Sequence, residues 1–189
     1  MKHLKTMALA AIAAFGLLAF IGVSSASADI YTDSKKTVKY KTGTTLSFSL
    51  APGKSSVWRS GSSIVATCTG GSIHGKTENE TGTVGINVES ETWTGCSQTT
   101  HVFFLGRLLV STSGTVGGWG TQITFGIYGT SCAYGTGEGA MLGTLTSGSP
   151  ARLKINAPIP RTGGGFLCPT SVTWEAEYVV TSPHSVYVG

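Results

Sequence analysis

The stretch CTGGSIHGKTENETGTVGINVESETWTGC, residues Cys68 to Cys96, decides the fold. It reads as a strand leaving one cysteine, a polar turn, and a strand returning to a second cysteine beside Trp93. Lys76 to Gly82 is the expected hairpin tip; its Asn79-Glu80-Thr81 has the form of a glycosylation sequon and so points to the surface. On the return, Val84, Ile86 and Val88 alternate with Gly85, Asn87 and Glu89, the period of a half-buried strand. Trp93 breaks this phase, since it stands an odd number of residues after Val88. Either a bulge re-aims the chain there, or Trp93 faces away from the valines.

Cys132 to Cys168 has a similar outline, with Gly135 to Gly139 as its tip. Gly85-Ile86-Asn87-Val88 before Cys96 echoes Lys154-Ile155-Asn156-Ala157 before Cys168. The cysteine separations differ, however, which favours shared geometry over internal duplication. Four cysteines permit three pairings, and the two hairpin outlines favour Cys68–Cys96 with Cys132–Cys168. Loops of this length contribute ~3.5 kcal/mol each on the chain-entropy account. Zinc is disfavoured, because no C-x2-C spacing occurs and His74, His101 and His184 are scattered; no cofactor is expected.

An oxidising destination agrees with the first 28 residues. Lys2, His3 and Lys5 form a positive start, Met7 to Val23 is apolar, and Ala26-Ser27-Ala28 is a small-x-small cleavage site. The expectation is a signal peptide over 1–28 and one domain over 29–189, secreted or envelope-associated, with no membrane attachment after cleavage. Eleven basic residues then face nine acidic ones, so no strong electrostatic partner follows and nucleic acid is not expected. Only 12% of the chain is charged, about half the usual share; Gly, Ser and Thr take that place.

Alternation recurs along the rest of the chain. Leu46, Phe48 and Leu50 share one face of Thr45 to Leu50, and Ala51-Pro52-Gly53-Lys54 is a turn. Ser55 to Ser60 carries Trp58; Ile64 to Cys68 is apolar on both faces. Val102 to Val110 is the most apolar run and is read as strand, interrupted by Gly106. Ile123, Phe125 and Ile127 share a face; Met141 to Leu145 and Leu153 to Ala157 are further strands. Pro158 and Pro160 should stop the last of these or confine it to a sheet edge. Val172, Trp174, Ala176, Tyr178 and Val180 form the clearest pattern, opposite Thr173, Glu175 and Glu177. Val38 and Tyr40 alternate with Lys39 and Lys41, a short strand whose lysines would blunt a sheet edge. Roughly ten strands without a mature helix predict an all-β, immunoglobulin-like antiparallel sandwich, ahead of a closed barrel.

Catalytic patterns are weak. No G-x-S-x-G elbow occurs, and Asp29 and Asp33 lie together in the leading segment. Glu175 and Glu177 could reach a sugar but, two residues apart on one face, read more simply as a solvated strip. Aromatic residues are the better lead: Trp58 and Trp119 are candidate ligand contacts. Trp119, between Gly118 and Gly120, would either stack on a sugar ring or fold back to plug the sandwich.

Thr67-Cys68-Thr69-Gly70, Trp93-Thr94-Gly95-Cys96, Cys132-Ala133-Tyr134-Gly135 and Trp174-Glu175-Ala176-Glu177-Tyr178 carry a resemblance to small secreted actinobacterial proteins with two cysteine pairs. The likeness spans nearly the whole chain; it implies export and one shared fold and supplies no site residues. A more distant similarity is to enediyne-binding chromoproteins, secreted two-disulfide sandwiches, as an analogy of fold alone. The functional expectation is a secreted, non-catalytic surface or interaction protein, with a cell-wall polymer or another protein as partner. A carbohydrate or small-molecule binding module is the alternative, and a secreted hydrolase the third reading.

Overall fold

The computed structural model describes residues 28–80, 82–127 and 129–189. The expected signal segment lies outside the described residues except for Ala28. The strands are β1 (Ile30–Tyr31), β2 (Thr45–Leu50), β3 (Ser56–Ser60), β4 (Ser63–Glu80), β5 (Thr83–Cys96), β6 (Thr100–Phe104) and β7 (Arg107–Ser111). There follow β8 (Thr115–Trp119), β9 (Gln122–Ile127), β10 (Thr130–Gly135), β11 (Ala140–Thr146), β12 (Arg152–Gly163), β13 (Ser171–Ser182) and β14 (Tyr187–Val188). No helix occurs among the described residues.

The expected sandwich is corrected to a closed antiparallel barrel. From β4 the wall runs through β5, β7, β8, β11, β12 and β13. The ring closes because β13 uses its second edge twice, pairing with β3 through Thr173 to Glu175 and with β2 through Tyr178 to Ser182. β4 does the same, facing β3 with Ser63 to Cys68 and β2 with Ser72 to Lys76. β2 and β3 therefore share one of eight wall positions. Between them Ala51 to Lys54 leaves the ladder as a turn, held by Lys54 N donating to Ala51 O and Ala51 N to Glu177 O.

Alternation is the same in a sandwich and a barrel, so it could not separate them; bulges supply the curvature that closes the ring. Register shifts occur at Trp58/Arg59, His74/Gly75, Met141/Gly143 and Val180/Ser182. Gly143 shows how tight such a site is, since a Cβ there would stand 1.9 Å from Lys154 O. Gly143→Ala should push β11 off β12 and cost about 1–3 kcal/mol. A lowered urea midpoint with unchanged slope would register it; an unchanged midpoint would refute the close approach.

The remaining long strands close one mouth. β6, β9 and β10 form a small sheet joined to the end of β12 through Ala133↔Gly163 and Tyr134↔Arg161. Its apolar face carries Ile123, Phe125, Cys132 and Tyr134 inward. The apolar run 102–110 is thus two strands, one in the cap and one in the wall, parted at Leu105-Gly106. Gly106 has φ +60°, and a Cβ on it would meet Trp119 O at 2.2 Å, so only glycine fits.

The two expected disulfides are present. Cys68–Cys96 ties the outer end of the β4–β5 hairpin, and Cys132–Cys168 pins the β12–β13 loop to the cap. Arg161 Nη1 also donates to Gly165 O at 3.0 Å and Cys168 O at 2.6 Å in that loop. Two disulfides fit an oxidising, extracytoplasmic compartment. Pro158 and Pro160 stand opposite Thr173 and Ser171 of β13, beyond the point where β11 stops pairing at Ile155, so they occupy an edge as expected. The short strand expected at Val38–Tyr40 is reduced to a single bridge, Lys39 to Tyr31.

Candidate functional site

Two places gather chemistry: the interior under the cap and the outer wall around Trp119. The interior follows from the bulge at His74/Gly75, where Glu89 is the extra residue against β4. The side-chain phase of β5 flips there, so Val84, Ile86 and Val88 face inward before it and Trp93 after it. A bulge is therefore the resolution of the Trp93 phase break. The same flip carries Glu91 inward, which sequence periodicity alone did not disclose.

Inside, Trp58 is 1% exposed. It stacks on Trp174 with centroids 6.1 Å apart and meets Trp93 edge-on at 4.8 Å. Phe125 of the cap lies 4.8 Å from Trp58 and 6.0 Å from Tyr134. Trp174 Nε1 donates to Ser56 Oγ at 2.8 Å. Trp93 Nε1 is enclosed and has no hydrogen-bond partner among the described residues, and the Tyr178 hydroxyl is enclosed with Ser56 as its polar neighbour. The void between barrel and cap measures about 20 Å³ and is lined by Glu91, Trp58, Trp93, Thr121, Tyr134 and Trp174, among others. That is room for one water, so the barrel is filled by its own side chains.

Glu91 is partly exposed as a residue, but its carboxyl is enclosed. Burial among these rings, without an ion pair among the described residues, raises its pKa from 4.5 to about 7. Burial likewise pushes the Tyr178 phenol well above its ordinary value, and the Glu91 charge adds to that.

The outer site is set by ladder register. On β8, Val116 and Gly118 are buried and Trp119 points outward, 43% exposed. Thr45, Lys76, Asn87, Arg107 and Trp119 are directly opposite one another across β2, β4, β5, β7 and β8. The Arg107 guanidinium lies over the Trp119 ring, 5.9 Å from its centroid. Arg107 also donates to Glu78, and Lys76 Nζ donates to Glu89 at 2.7 Å. A shallow depression beside the ring is lined by Asn87, Leu105, Gly106, Arg107, Trp119 and Gly120. Its floor is rigid, since Thr121 Oγ1 donates to Leu105 O at 2.9 Å and Thr121 N to Thr136 Oγ1 at 3.1 Å. Gly117, two residues before Trp119 on the same face, leaves the wall beside it bare.

The sequence-derived candidates thus separate. Cys68, Cys96, Cys132 and Cys168 are spent in disulfides. Trp58 is interior, so the two candidate ligand tryptophans lie on opposite sides of the wall and Trp58 presents no surface. Trp119 does not plug the fold. Glu175 and Glu177 face outward and are paired with Arg59 at 3.1 Å and Arg152 at 2.7 Å. His74 Nδ1 and Ser47 Oγ are 2.9 Å apart on the outer wall, a hydrogen-bonded cross-strand pair. No group of three or more metal-ligating side chains occurs among the described residues.

No known protein family, curated protein or solved structure matches the chain.

Proposed function

We propose that the protein is a non-catalytic binding protein of the extracellular or cell-envelope space, whose filled barrel serves as a scaffold for a carbohydrate-binding face at Trp119. One observation carries this reading: Trp119 is exposed on a rigid wall beneath Arg107, while Trp58, Trp93 and Trp174 pack together inside. An aromatic ring held out of the core on a β-ladder offers a flat apolar surface with its conformational freedom already restricted. The 20 Å³ interior void supports a surface site over an enclosed ligand chamber.

The division of the tryptophans makes the test selective. Acrylamide quenching of the native protein should act chiefly on Trp119, and wall polysaccharide should protect it. Trp119→Ala should weaken binding by roughly tenfold to thirtyfold, the loss typical of a central aromatic contact. No protection in the wild type, or equal affinity in the variant, would remove the reading.

A further inference from the structure

We propose that the ligand of the Trp119 face is an uncharged polysaccharide lying across the strands, over Lys76, Asn87, Arg107 and Trp119. This rests on the binding function proposed above and specifies what that face accepts.

The row exists because four ladders share one register, Thr45↔Lys76, Lys76↔Asn87, Asn87↔Arg107 and Arg107↔Trp119. Neighbouring strands are about 4.8 Å apart, so Lys76 to Trp119 spans about 14 Å. That length suits a short run of pyranose rings and exceeds a single one. The depression beside Trp119 is shallow and open along the wall, which suits the flank of a chain rather than an enclosed monosaccharide.

Charge selects the class of chain. Both cations of the row are paired on the wall itself, Arg107 with Glu78 and Lys76 with Glu89. The pairs leave no net charge to attract a uronate or a phosphate polymer. An anionic chain would have to compete with carboxylates already in place, and it would meet those carboxylates at close range. A neutral chain keeps both pairs intact. Its hydroxyls find amide, guanidinium, ammonium and carboxylate groups as donors and acceptors, and a ring face meets the Trp119 indole. Asn87, between the two pairs and exposed, is the one uncharged hydrogen-bonding side chain in the middle of the row.

The probes are soluble hydroxyethyl cellulose, laminarin and dextran as neutral chains, with polygalacturonate and wall teichoic acid as anionic ones. Binding to the full chain is followed by tryptophan fluorescence at low and high sodium chloride. The expected result is binding to at least one neutral chain with an affinity that salt leaves unchanged. Asn87→Ala should weaken it several-fold and Trp119→Ala more. Glu78→Gln with Glu89→Gln removes both of these carboxylate charges from the row, and should gain salt-sensitive binding to polygalacturonate that the wild type lacks. Wild-type preference for the anionic chains, abolished by Trp119→Ala, would overturn the neutral-chain inference while leaving the Trp119 face in place. No binding to either set would overturn both.

Discussion

Trp58→Ala should lower stability by about 3–5 kcal/mol, the cost of a fully buried large-to-small change whose cavity cannot collapse. Trp58 is the ring at which the two parts of the fold meet. It stacks on Trp174 of β13, abuts Trp93 of β5 and touches Phe125 of the cap. Those neighbours sit on ladders and cannot move inward independently, so relaxation is limited. Urea denaturation gives the loss. Near-UV circular dichroism should weaken in the same variant, because three ring-ring contacts disappear together. Trp58→Phe should recover part of the stability by keeping an aromatic plane against Trp174. A cost below 1 kcal/mol for Trp58→Ala would mean that the cap is held by other contacts.

The second large effect depends on pH. Glu91 has a folded-state pKa of about 7 against 4.5 for the exposed group. Between those values the folded chain keeps a proton that the unfolded chain has released, so stability falls as pH rises through this window. Below it both states are protonated and the curve is flat. Above it both are ionised, and the folded state carries the full cost of a carboxylate among aromatic rings, about 3 kcal/mol. Tyr178, Trp93 and Trp58 face the group from the barrel, and Tyr134 and Thr136 from the cap; no cation among them offsets the charge. Glu91→Gln removes the titration while keeping shape and polarity. The variant should match the wild type near pH 4.5 and exceed it by about 3 kcal/mol at pH 8. Equal pH profiles for the two proteins would place the Glu91 carboxylate in water.

Much of the local structure was legible in the residues. The alternation of Val172, Trp174, Ala176, Tyr178 and Val180 is inward in β13, and Thr173, Glu175 and Glu177 are turned out. The hairpin between Cys68 and Cys96, and both disulfides, follow from spacing and turn chemistry. Closure was not legible. It depends on β4 and β13 each pairing with both β2 and β3 along one edge, and such long-range register leaves no mark in a local period of two. Glu91 was hidden for a related reason. A single extra residue at Glu89 inverts every later side chain on β5, and only the odd Val88-to-Trp93 spacing betrayed it. For the outer site, Trp119 could be singled out from its flanking glycines. Its alignment with Arg107, Asn87 and Lys76 needed the ladders.

The shared wall position has a consequence for change in this chain. Pro52, Gly53 and Lys54 are exposed and carry no barrel pairing of their own, while the strands on either side are held independently by β4 and β13. Added residues there would lengthen a loop without displacing either ladder, and each doubling of such a loop costs only about 0.6 kcal/mol. The gap between β2 and β3 is thus a ready port through which the closed barrel can acquire a new surface segment by insertion.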